Sequence, residues 1–234
     1  MTLTSLDDAG LRRAVRILAR RDPALAAIAR RYGPPPLWAR EPCFATLVHV
    51  ILEQQVSLAS ARAVFERLRA TLPVFDATSF LALDDAAFKR VGITRQKTAY
   101  ARELATAIAS NRLDLEGLAL LDDTEVHTVL TRIKGIGLWT SNVYLLMALG
   151  RPDAFPASDI ALLVAAHKIK KLRQRPTPER LERLAENWRP WRAVAARLLW
   201  HFYLSEKAAA RGASTVTQAR KTRAPAASRP GRGS

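Results

Sequence analysis

The 234-residue chain has one cysteine, Cys43, and two methionines. A single thiol cannot build a disulfide framework, a cysteine-rich zinc site or a four-cysteine iron–sulfur cluster. No uninterrupted apolar run approaches the roughly 18 residues a spanning helix needs, and the opening MTLTSLDDAGLRR lacks the basic-then-apolar order of a secretory signal. Acidic residues are scarce: 21 Asp+Glu stand against 37 Lys+Arg, a net charge of +16. What is present is 49% hydrophobic, too apolar for a disordered chain and ample for a core. These features predict a soluble, cytoplasmic, monomeric protein with no membrane partner, whose basic surface suits nucleic acid.

From Lys207 to Ser234 there are seven Lys/Arg, no acidic residue, and a run of Ala, Gly, Ser, Thr and Pro. Such a segment buries too little to offset its ordering entropy, so residues 207–234 are expected to be a basic flexible tail. Setting aside its seven positive charges leaves +9 on residues 1–206, which remain clearly basic.

Before that tail almost everything reads as helix. Apolar residues recur at three- and four-residue spacing in Leu11, Val15, Leu18, in Leu47, Val50, Ile51, and in Val194, Leu198, Leu199, Phe202. Asp22-Pro23 and Thr177-Pro178 each place a capping oxygen ahead of a first-turn proline, and Pro190 is expected to open the last helix in the same way. Gly33-Pro34, Gly92 and Gly150 mark stops. Strand-like alternation between tight turns is missing, and no 30–45-residue repeat is visible, so the expected class is all-α, with roughly ten short helices.

The most informative stretch runs from Asp123 to Leu163. A helix from Thr124 to about Ile133 leads into Lys134-Gly135-Ile136-Gly137, and a second helix begins near Leu138. Two glycines around one apolar residue suit a hairpin whose backbone N–H groups meet a phosphate at a helix N-terminus, where a Cβ on Gly135 or Gly137 would obstruct it. An ordinary turn between helices has the same sequence signature. Downstream, Gly150-Arg151-Pro152-Asp153 and Pro156-Ala157-Ser158-Asp159 form a loop that ends at an apolar helix.

This arrangement resembles the helix-hairpin-helix superfamily of DNA glycosylases, named HhH-GPD for its hairpin and Gly/Pro…Asp loop. Ile51-Leu52-Glu53-Gln54-Gln55-Val56-Ser57, Gly92-Ile93-Thr94-Arg95-Gln96-Lys97 and Trp188-Arg189-Pro190-Trp191-Arg192 resemble its 3-methyladenine DNA glycosylase II branch. The resemblance covers about residues 11–206 and places the hairpin at about 124–149. It implies a compact helical fold of two lobes flanking an active-site cleft, acting on double-stranded DNA with damaged bases. Only about forty residues precede the core, too few for the N-terminal β domain of larger members.

By that resemblance Asp159 is the catalytic carboxylate, although an N-cap would look the same from sequence; Asp153 is a weaker rival in the same loop, read as structural. Trp139, Val143, Tyr144, Gln54 and Trp191 would line the pocket for a flipped base, while Trp188 and Trp200 are read as core. Gln55 would fill the gap the base leaves, and Arg95, Lys97, Lys134, Gly135, Ile136 and Gly137 would meet the backbone. Lyase-competent members carry a lysine two positions after the second hairpin glycine; here Trp139 stands there, implying hydrolysis without strand cleavage. His49, His127, His167 and His201 lack ligand spacing, so no catalytic metal or other cofactor is expected. The hairpin carbonyls of Ile133 and Ile136 could hold Na⁺ or K⁺ by resemblance alone. The implied activity is excision of 3-methyladenine and 7-methylguanine; a silent DNA-binding protein and a glycosylase for deaminated or mismatched bases share the same motifs. Glu53 departs from the small or apolar residue expected at its position.

Overall fold

Short oxygen-bearing side chains ahead of apolar runs set most helix starts. In the computed structural model, which describes residues 5–222 and side chains as far as residue 211, Asp7 caps α1 (Asp8–Arg21) and Asp22 caps α2 (Pro23–Tyr32). Then come α3 (Phe44–Glu53), α4 (Leu58–Ala70) capped by Ser57, α5 (Ala77–Leu81), α6 (Asp85–Val91) and α7 (Arg95–Ala109) capped by Thr94. A capping box between Asp122 and Glu125 opens α8 (Asp123–Thr131), and α9 (Leu138–Met147) follows the hairpin. The chain closes with α10 (Ile160–Ile169), α11 (Pro178–Ala185), capped by Thr177, and α12 (Arg192–Thr222). Among the described residues there is no strand, and no helix is long and apolar enough to cross a membrane.

The helices fall into two groups that share one hydrophobic core. The first is α1, α2, α10, α11 and α12; the second is α3 to α7, with α9 laid against α3. Helix α3 is apolar almost all round, and Leu47, Val48, Val50 and Ile51 are wholly buried. Each such side chain contributes about 1.5–3 kcal/mol through burial. Arg197 stitches the groups together from α12: its guanidinium donates to the carbonyls of Leu37 (2.8 Å), Leu146 (2.7 Å) and Ala193 (3.2 Å). Burial pushes its pKa down to about 10.

Two boundaries differ from expectation. Pro190 does not occupy the first turn of the last helix, which starts at Arg192; the Arg189–Pro190 peptide is cis and lies in the preceding turn. Helix α12 also runs through the boundary placed at 206 and on to Thr222. Its buried stem has already met the cost of nucleation, so the alanines at 208–210 extend it residue by residue. Residues 223–234 of the segment read as a tail lie outside the described residues.

Candidate active site and nucleic-acid interface

The turn between α8 and α9 is closed by the Ile136 N–H donating to the Ile133 carbonyl at 3.0 Å. Both isoleucines point inward, 5% and 3% exposed, while Lys134 and Gly137 lie outside. Gly135 has φ +94°, and a Cβ there would sit 2.1 Å from Cγ of Tyr100 on α7. Packing against α7, rather than the approach of a phosphate, is what requires this glycine. Gly137 is the opposite case. Its φ of −99° suits any residue, and an added Cβ would meet nothing in the protein. No side chain caps α9, so its first N–H groups face outward unpartnered by any cap.

Between the hairpin, the end of α3 and the start of α7 lies a groove of about 420 Å³. Gln54 crosses its base, its amide donating to the Gly135 carbonyl (2.9 Å) and Thr140 Oγ1 (3.0 Å). It is therefore a strut between α3 and the hairpin, not the base-pocket wall expected. Lys97 is likewise committed: Nζ donates to the carbonyls of Leu52 (2.7 Å) and Gln54 (2.8 Å), and burial lowers its pKa. The last carbonyls of α3 have no helical partner, and this ammonium supplies one, so Lys97 is not the phosphate contact expected. Gln55, on left-handed backbone (φ +57°), is exposed beyond the strut. Arg95, the first residue of α7, and Lys134 are also exposed.

Beneath this rim Glu53, only 8% exposed, pairs in a two-pronged ion pair with Arg40 at 2.7 and 3.1 Å. His49 Nε2 lies 3.6 Å from the same carboxylate. A small or apolar residue would leave Arg40 without its partner, which accounts for the unusual glutamate.

The loop from 150 to 159 is pinned from several sides. Arg151, 4% exposed, donates to the carbonyls of Ala119 and Leu121, and Asp153 pairs with Arg189 (2.6 Å) and Arg192 (2.9 Å). Asn142 Oδ1 accepts the Phe155 N–H at 3.1 Å. At its end Asp159 caps α10, Oδ1 accepting from the Leu162 N–H at 3.1 Å. The same oxygen accepts Trp200 Nε1 at 3.1 Å, while Oδ2 accepts Trp139 Nε1 at 3.0 Å. The carboxylate thus stands at a helix N-terminus, fixed by two indoles from α9 and α12.

The family model for the HhH-GPD superfamily base excision DNA repair protein matches residues 48–190. The chain belongs to that superfamily. Its hairpin and Asp159 loop both lie inside the matched segment. The DNA-3-methyladenine glycosylase of Bacillus subtilis is 25% identical over 197 residues, 78% of this chain and 64% of that protein, so the chain spans just under two thirds of this relative. The crystal structure of a DNA-3-methyladenine glycosidase from Bacillus halodurans superposes with TM-score 0.68 at 27% identity, covering 81% of this chain and 88% of that one. Schizosaccharomyces pombe 3-methyladenine DNA glycosylase Mag1, solved with abasic DNA, shares the fold: TM-score 0.71, 24% identity, 80% and 95% covered.

Within this HhH-GPD frame the structure joins some expected site residues and separates others. Asp159 and Trp139 meet, Asp153 is structural, and Trp188 is core at 1% exposure. Val143 is buried in α9, one turn after Trp139. Tyr144 is wholly buried, its hydroxyl has no partner, and burial pushes its pKa far up; it belongs to the core rather than to a pocket. Trp191 is half-buried against the core, and among the described residues no hydrogen bond or ring contact joins it to Asp159 or Trp139. Trp200, read as core, is buried at 8% exposure but also holds the carboxylate. A buried indole needs an acceptor for its N–H, and that requirement was the available signal for its role.

Proposed function

We propose that this protein is a monofunctional DNA glycosylase that removes alkylated purines, chiefly 3-methyladenine and 7-methylguanine, from double-stranded DNA by hydrolysis. The observation that carries this reading is Asp159, a carboxylate held by two indole N–H groups at a helix N-terminus twenty-two residues after Gly137.

The duplex backbone docks on the open N-terminus of α9, where the backbone N–H groups around Gly137 donate to a phosphate and Lys134 and Arg95 add positive charge. Gln55 enters the gap left as the damaged nucleotide swings out. An N-alkylated purine is cationic, and the Trp139 π-face favours it by about 0.5–2 kcal/mol. Its charge already weakens the glycosidic bond, so a strong general acid is not required. As that bond breaks, positive charge grows on the sugar, and a carboxylate fixed beforehand stabilises it without reorganising. Water completes the substitution at C1′, leaving an abasic site. Trp139 stands where a lyase lysine would, so no Schiff base forms. The hairpin carbonyls of Ile133, which accepts the Ile136 N–H, and of Ile136 would be the ligands of a monovalent Na⁺ or K⁺, which would add positive charge toward a phosphate.

The test is release of free bases from methylated duplex DNA, read by chromatography, with Asp159→Asn alongside. Wild type should release both purines and Asp159→Asn neither, while affinity for abasic duplex stays within about twofold; borohydride should trap no covalent adduct. Duplex binding without base release from any alkylated, deaminated or mismatched substrate would replace this reading with that of a silent binding protein.

A further inference from the structure

The loop between α2 and α3 holds a tryptophan in a conformation that tryptophan avoids. Trp38 has φ +49°, in the left-handed region where a bulky side chain is strained. Such strain persists only where the surroundings over-determine it, and here they do. On one side, Arg197 Nε donates to the Leu37 carbonyl at 2.8 Å. On the other, the Arg40 N–H donates to the Met147 carbonyl at 2.9 Å, and the Arg40 side chain is tied to Glu53.

The result of that clamping is a placed indole. Trp38 meets the Trp200 ring edge-on, centroids 6.5 Å apart at 72°, and the neighbouring His201 at 6.4 Å and 86°. Edge-to-face contact at this separation favours one relative orientation of two aromatic rings. Trp200 in turn spends its N–H on Asp159 Oδ1. The chain of contacts Trp38, Trp200, Asp159 therefore runs from a strained loop to the carboxylate. Both tryptophans lie outside residues 48–190, so neither belongs to the segment the superfamily model describes.

We propose that Trp38 is a positioning residue for Asp159, acting through Trp200: its ring sets the indole whose N–H orients the carboxylate. The catalytic part of this inference rests on the glycosylase reading above; the geometric part does not. An ordinary core residue would make the same surface disappear without left-handed backbone, and the loop is half-exposed rather than central.

The experiment is a cycle of Trp38→Ala, Trp200→Phe and the double variant, with Trp38→Phe as the conservative replacement. Single-turnover base release from methylated duplex is measured together with affinity for abasic duplex. Trp38→Ala should slow release about tenfold or more, leave affinity within about twofold, and be largely rescued by Trp38→Phe. In the Trp200→Phe background, which already lacks the N–H donor, Trp38→Ala should add less than a further twofold. Multiplying effects, or a loss confined to affinity, would overturn the proposal.

A second readout needs no activity. The Trp200 indole N–H resonance, assigned by its loss in Trp200→Phe, should move on Trp38→Ala and return in Trp38→Phe. An unmoved resonance in a folded variant sinks the proposal even if the protein is a glycosylase. A moved resonance in a protein that releases no base upholds the geometry and removes only the glycosylase reading.

Discussion

Replacing Arg40 by methionine isolates the electrostatics under the site. Glu53 has 7% of its side chain exposed, and its carboxylate is satisfied by both prongs of the Arg40 guanidinium. With Arg40 gone, the nearest remaining group is His49, 3.6 Å away, and burial holds that imidazole toward its neutral form. It supplies no counter-charge at neutral pH. Stranding one partner of a buried pair costs about 3–5 kcal/mol. Arg40 itself is 23% exposed, so water can partly take its place, and the lower end of the range applies, about 3 kcal/mol. For a chain of this size that lowers the thermal midpoint by roughly 6–12 °C. The double variant Arg40→Met/Glu53→Leu removes both charges and should recover to within about 1 kcal/mol of wild type, because the desolvation cost disappears with the pair. Urea unfolding followed by circular dichroism, with the slope held constant as the check on two-state behaviour, reads both. A loss below about 1 kcal/mol in the single variant, or a double variant no better than the single, would refute this account of Glu53.

The two hairpin glycines should separate stability from binding. Gly135→Ala, at φ +94° and against Tyr100, should lower the unfolding midpoint, whereas Gly137→Val should stay within about 1 kcal/mol of wild type yet weaken binding to every duplex; the reverse pattern would remove the hairpin from the interface. Lys134→Ala should reduce the slope of log affinity against log salt by about 1, measured by fluorescence anisotropy, and an unchanged slope would take Lys134 off the phosphate backbone. Burial lowers the folded pKa of His127, whose Nδ1 meets Ser141 Oγ at 2.8 Å, so the unfolded chain takes up the proton first. Stability should be flat above the ordinary histidine value of 6.5 and fall as pH drops below it, through the lowered folded pKa. His127→Asn should make that acid limb shallower in thermal scans between pH 8 and 5, with His49 and His201, whose pKa values burial also lowers, supplying the remainder; an identical limb would place the proton uptake elsewhere.

What the sequence displayed and what it hid follow different physics. Capping oxygens, first-turn prolines and three- and four-residue apolar spacing are local, and they located Asp22, Thr177 and the two hairpin helices within a few residues. The failures at the site are long-range, unlike those at the two ends of α12. Lys97 reads as a free cation in a basic protein, and only the fold brings its ammonium to carbonyls 43 and 45 residues away. Gln54 reads by resemblance as pocket wall, and only the fold brings the hairpin, 81 residues on, to accept its hydrogen bond. Tyr144 and Val143 are adjacent on one helix, so resemblance pointed at both, and the packing of α9 buries both, the tyrosine wholly and within the main core.

Asp159 shows why an N-cap and a catalytic carboxylate need not compete as explanations. From sequence, Ser158-Asp159 ahead of Ile160 fits either role. In the fold Oδ1 caps α10 through Leu162, and Oδ2, which the cap does not use, is taken up by Trp139. A cap needs one oxygen and no aromatic neighbours; a second oxygen oriented by a second indole adds nothing to helix stability that water would not supply. Replacing both indole donors while keeping the aspartate, with Trp139→Phe/Trp200→Phe, should therefore leave the α10 cap intact and its amide protected from hydrogen exchange at Leu162, while base release falls at least as far as in either single variant. Loss of protection at Leu162 in that double variant would mean the indoles serve the helix, and the carboxylate geometry would then carry no catalytic argument.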